Sequence, residues 1–171
     1  MSIISNQRKM KREKLIVLLL LSLLLAGACS KTETDETYPV IEMSGNQQFP
    51  HDCDTLYIGE SFAFRAMFSD NKELGAYSLD IHQNFNHHSH SSSSEQCLLD
   101  PVKTAVNPFL LIREYTISAG SMAYQSQDSV FIPSGVDPGD YHMMVRLTDR
   151  AGWQTLRGIS GNLANREKGK R

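Results

Sequence analysis

The sequence predicts an all-β fold, a sandwich of immunoglobulin type. Three observations carry this. Short runs alternate apolar and polar residues with a period of two. Gly, Pro, Asn and Asp separate those runs at sandwich-like spacing. No segment shows a convincing helical period.

The first residues read as a targeting segment outside that fold. Arg8, Lys9, Lys11, Arg12 and Lys14 form a basic stretch, and Leu15 to Leu25 is apolar except for Ser22. A spanning helix needs ~20 apolar residues, so the run fits a signal-peptide core covering residues 1–28. It ends at Leu25-Ala-Gly-Ala-Cys29. Small residues before a cysteine resemble a bacterial lipobox, which makes Cys29 the expected site of lipidation (palmitate among the chains). Ordinary signal-peptidase cleavage is the competing reading. Residues 29–37, with Ser-Lys-Thr-Glu-Thr-Asp-Glu-Thr after the cysteine, are a polar tether. Acidic residues there resemble the surface-export signal of Bacteroidetes lipoproteins. The expected location is the bacterial cell envelope, as an outer-membrane lipoprotein held to the membrane by its lipid.

Cleavage at that point leaves 143 residues with 12 basic and 18 acidic side chains, about −6 with neutral histidine. That length suits one domain with one core. The acidic balance argues against nucleic acid as a partner.

The domain is expected over residues 38–157. Tyr38–Met43 reads as an edge strand, with Pro39 near its start where a strand tolerates proline. Ser44–Asp54 is a loop. Leu56, Ile58, Phe62, Phe64, Ala66 and Phe68 share one parity, with a bend at Gly59-Glu60. Ser69–Glu73 is a polar turn. Tyr77, Leu79 and Ile81 then alternate with Ser78, Asp80 and His82, a half-buried strand. Phe109–Ile117 is a strand of mixed pattern, and Ser118–Gln127 is loop-like. Ser129–Ile132 is a short strand stopped by Pro133. After the turn residues of Ser134–Asp140, Tyr141, Met143, Val145 and Leu147 mark another strand. Gln154–Leu156 is a weak last one, and residues 158–171 are expected to be a disordered tail with little to bury.

Glu60–Leu74 followed by Tyr77-Ser-Leu resembles the second and third strands of cadherin-like and bacterial immunoglobulin-like domains. Pro138-Gly-Asp-Tyr141 through Thr148-Asp-Arg-Ala-Gly152 resembles their sixth strand and last hairpin. More narrowly, Asp80-Ile-His-Gln-Asn-Phe-Asn-His-His-Ser-His90 with the later Gly139-Asp-Tyr-His142 resembles an uncharacterised family of Bacteroidetes lipoproteins, a domain of unknown function, from about Tyr38 to Gly152. The resemblance implies a fold and no activity.

The chemistry gathers in one stretch. Four of six histidines fall between His82 and His90, and Ser91–Ser94 follow as a flexible linker. In an immunoglobulin-type sandwich the third strand (Ala76–Gln83) and the sixth (Tyr141–Thr148) are antiparallel neighbours. His82 near the end of one and His142 near the start of the other should therefore meet, about 5 Å apart at Cβ, on the outward face. All six histidines fall at that end. His82, His142 and one of His87, His88 or His90 could hold a metal, with Asp80 as a fourth ligand or as an acceptor orienting an imidazole. Imidazole with carboxylate suits Zn, Cu(II), Ni or Fe. His51 alone reads as a structural loop histidine. Cys53 and Cys97 lie in loops at the same end. They are disulfide candidates, with free thiols or metal ligation as alternatives.

Enzyme signatures are missing: no Gly-x-Ser-x-Gly, no P-loop and no His-Glu-x-x-His. The expected function is a lipid-anchored binding protein, not an enzyme, that holds a transition metal or a metal-containing ligand at its membrane-distal end. The alternative is an adhesion or assembly module whose His-rich loop contacts an envelope protein or a glycan without metal.

Overall fold

A computed structural model describes residues 34–88 and 97–167. The expected signal segment, Cys29, His90 and residues 168–171 lie outside the described residues. The chain divides between Thr34 and Asp35, and every described strand belongs to the second unit. Among the described residues there is no helix, and the domain they form is all-β as its alternation predicts.

The strands are β1 (Val40–Glu42), β2 (Thr55–Tyr57), β3 (Ser61–Phe64), β4 (Met67–Ser69), β5 (Leu74–Gln83), β6 (Leu111–Thr116), β7 (Ala123–Gln125), β8 (Asp128–Phe131), β9 (Gly139–Asp149) and β10 (Gln154–Ala164). One sheet has the order β2-β10-β9-β5-β6; the others are β1-β4-β7 and β3-β8. Neighbours are antiparallel except β2 and β10, which are parallel. The rings of Phe64 on β3 and Phe68 on β4 lie 6.1 and 4.8 Å from that of Tyr77 on β5. The short sheets thus pack on the inner face of the long one, in the manner of a β-sandwich.

Alternation builds the core. Tyr77, Leu79 and Ile81 on β5 and Tyr141, Met143, Val145 and Leu147 on β9 are buried together with Phe62, Phe64 and Phe68. Each large side chain taken out of water contributes roughly 1.5–3 kcal/mol. Tyr77 is the hub: it stacks on Tyr115 with centroids 4.8 Å apart, and its hydroxyl donates to the Asp128 carboxylate. Burial, and then that hydrogen bond, push its pKa well above the phenol range, so it remains a donor.

The single alternating run from Leu56 to Phe68 proves to be two layers. At Gly59, with φ +83°, the chain leaves β2 in the long sheet and enters β3 in the other. Both segments send the same parity into the shared interior, so parity alone does not register the crossing. The expected loop over Ser118–Gln127 contains β7, whose half-buried Tyr124 packs against the core and lies 6.1 Å from Tyr77.

The larger correction is at the C-terminal end. The chain does not become a tail at Gly158. β10 runs to Ala164, pairing with β9 from Gln154 to Leu163 and with β2 from Asn162 to Ala164. Ile159, Ser160 and Leu163 are buried. Its glycines, serine and asparagine are weak strand formers, but it is a strand because it has a partner on both sides. Gly161 answers a close approach: a Cβ there would stand 2.9 Å from the Asp54 carbonyl oxygen. A chain ended after Arg157 would lose these buried side chains and all pairing with β2. It is expected to lose its cooperative thermal transition, as followed by circular dichroism; an unchanged melt would return residues 158–164 to a dispensable tail.

Candidate metal centre

The site begins with register. β5 and β9 pair so that His82 stands directly opposite His142, and Ser160 on β10 stands opposite His142 on its other side. The His82 and His142 rings lie 5.9 Å apart between centroids. Both have outward parity, as the alternation requires. His142 is nonetheless only 5% exposed, because other rings and an amide lie against it.

A turn supplies the third ring. The His87 N–H donates to the Asn84 carbonyl at 3.1 Å, and His87 adopts φ +56°, a left-handed conformation in which histidine is enriched among non-glycine residues. The chain reverses there and brings His88 back over the sheet. The His88 ring lies 5.6 Å from His82 and 5.3 Å from His142. One ligand atom from each of His82, His88 and His142 lies within 4.8 Å of the others. A tetrahedral ion with bonds of ~2.0–2.1 Å needs nitrogens about 3.4 Å apart, a closure on the scale of side-chain rotation.

One nitrogen of each ring is engaged by a side chain outside the trio. The Nδ1–H of His82 donates to Asp80 Oδ1 at 2.9 Å. The Nδ1–H of His88 donates to Asn86 Oδ1 at 2.7 Å. The Asn84 amide lies 3.0 Å from His142 Nε2. Its Nδ2 faces the ring and donates to Nε2; an amide turned by 180° would present Oδ1 instead, place the proton on Nε2 and leave Nδ1 as the ligating atom. Such partners fix tautomer and orientation and raise ligand basicity.

Asp80 is thus hydrogen-bonded to the His82 ring and stands outside the group of three. His87 does not join the trio: its Nε2–H donates to the Asp100 carbonyl at 2.9 Å and lies 3.7 Å from the Asp140 carboxylate. It docks the segment that follows the His-rich loop. His51 stays within its own loop, with Nε2 3.2 Å from the Gly45 carbonyl. Asn84 and Asn86 are the residues that sequence reasoning passed over. The spacing was visible, since Asp80–His82 and Asn86–His88 are both two residues apart.

Cys53 and Cys97 form a disulfide with Cα atoms 5.3 Å apart. The Cys53 N–H donates to the Ser160 carbonyl at 2.7 Å. The bridge thus sits across β10 from His142 and secures the segment that resumes after the His-rich loop.

A family model matches residues 27–163. The chain belongs to the DUF4625 family, a domain of unknown function. In this DUF4625 domain the match runs through β10 to one residue short of its end, so residues 158–163, expected as the start of a tail, are part of the matched unit. No curated protein matches the chain. Among solved structures it is similar to the GspB Siglec domain, with a TM-score of 0.40 and 20% identity over 77% of this chain. The match spans 60% of the length of that structure's chain.

Proposed function

We propose that this DUF4625 domain is an immunoglobulin-like, lipid-anchored binding protein of the cell envelope that holds a transition metal ion between His82, His88 and His142. The observation that carries it is the trio itself: three imidazoles with ligand atoms within 4.8 Å of one another, each ring engaged on one nitrogen by a separate side chain. Solvated loop histidines have no reason to acquire three orienting partners. All-nitrogen ligation suits Zn, Cu(II), Ni or Fe. Three protein ligands leave a coordination position for water or for an atom of a bound ligand.

Two features support the immunoglobulin-like assignment. The long sheet has the order expected when a short first-strand segment pairs in parallel with the last strand. Tyr141, opening the sixth strand of that scheme, donates its hydroxyl to the Asp137 carbonyl at 2.8 Å and accepts from the Phe109 N–H. That is the tyrosine corner of such folds. The lipid anchor rests on residues 8–30 of the sequence alone.

Protein prepared without a histidine tag should retain close to one equivalent of Zn, Cu, Ni or Fe per chain after dialysis, read by elemental analysis. No retained metal, together with a thermal midpoint indifferent to added metal, would remove the proposal.

A further inference from the structure

At a second place in the fold three carboxylates converge. Asp35 precedes β1, Asp70 follows β4 and Asp149 ends β9, and one carboxylate oxygen from each lies within 4.8 Å of the others. One oxygen of each serves its own turn. Asp35 Oδ1 accepts from the Thr37 N–H at 3.1 Å. Asp70 Oδ2 accepts from the N–H groups of Lys72 and Glu73. Asp149 Oδ1 accepts from those of Gly152 and Trp153.

The other oxygens decide the matter. Asp149 is only 4% exposed, yet its Oδ2 is buried with no hydrogen-bond partner among the described residues, and Asp70 Oδ1 is in the same state. Asp35 is 9% exposed. Among the described residues no Lys, Arg or His forms an ion pair with any of the three; the nearby Arg150 pairs with Glu73 instead. Folded proteins rarely leave a buried carboxylate oxygen unsatisfied beside two further negative charges, because desolvation and repulsion add. A cation satisfies both at once.

We infer that Asp35, Asp70 and Asp149 form a calcium site. The donors are all hard oxygens, which favours Ca2+, Mg2+ or Mn2+ over the imidazole-seeking ions of the histidine trio. A cage of three protein carboxylates suits Ca2+, which takes six to eight oxygens in flexible geometry; Mg2+ keeps several waters and is held by one or two carboxylates. The site ties the segment entering the domain to the turns β4–β5 and β9–β10. Asp35 is already placed there, its carbonyl accepting from the Trp153 indole N–H at 2.8 Å.

The test is thermal unfolding of the full chain in detergent, in EDTA and in millimolar CaCl2. At a hundredfold excess over Kd, calcium should raise the midpoint on the order of 10 °C. Asp149→Asn keeps an acceptor for Gly152 and Trp153 but removes the charge. It should melt at or above the wild type in EDTA and below it in calcium, and Asp70→Asn should behave alike. A merely structural aspartate would not produce that crossing. His142→Ala should keep the calcium response in full, so this site and the histidine site succeed or fail separately. A midpoint that ignores calcium, one that rises equally in Asp149→Asn, or an equal rise with Mg2+ alone would overturn the inference.

Discussion

His142→Ala is expected to lower zinc affinity on the order of a hundredfold or more, and His82→Ala similarly. Both ligands stand on strands of the long sheet, paired directly opposite each other, so no loop movement can replace either. Asp80→Asn should cost less, about 10–100-fold, because it leaves all three imidazoles and weakens only the orientation of His82. His87→Asn, which tolerates the left-handed turn at that position, should scarcely change affinity, since the ring it removes is spent on the Asp100 carbonyl. Titration calorimetry with zinc gives the ranking. pH adds a signed check. Metal binds neutral imidazole, so protons compete and apparent affinity must fall as the medium is made more acidic. The fall should be steepest for the wild type, which has most imidazoles to deprotonate. Equal affinities for wild type and His142→Ala would show that the trio does not bind the metal.

The histidine pairing was legible because it depends only on parity and on one neighbour relation. Outward parity put His82 and His142 on one face, and antiparallel packing of the third and sixth strands put them opposite. The third ring was not legible as an individual. That His88 and not His87 returns to the sheet is decided by a left-handed residue at His87 and one turn hydrogen bond, and alternation carries no information about either. The burial of His142 was missed for the same reason, since it is other loop groups that cover it.

The fold shows a similar division. β5 and β9 alternate strongly, lie at the centre of the long sheet and were readable. β10 has few strand-forming residues, so its existence rests on tertiary pairing with β9 and β2. Asp70 and Asp149 were read as turn residues, which they are. That a carboxylate oxygen of each comes within 4.8 Å of the other and of Asp35 is a three-dimensional fact, brought about by the ends of β4, β5, β9 and β10 lying together. Turn chemistry and ion binding draw on the same residue type here, and sequence shows only the first.

Replacing both Cys53 and Cys97 by Ser is expected to cost about 3–4 kcal/mol of stability in the loop-entropy picture. The bridge joins positions 44 apart, and most of its effect falls on the unfolded chain, which it keeps compact. Urea unfolding should therefore show a lower midpoint together with a larger m-value, because the uncrosslinked chain exposes more surface when it unfolds. A fall in midpoint at constant m would instead place the effect in the native state. Zinc affinity separates the bridge from the site. His82 and His142 are held by the sheet, His88 by Asn86, and the segment after the loop by His87 on the Asp100 carbonyl. Affinity in the double variant should then fall less than in His88→Ala. A loss as large as that of His88→Ala would mean that the bridge, acting through the loop it closes, is what holds the third imidazole over the other two.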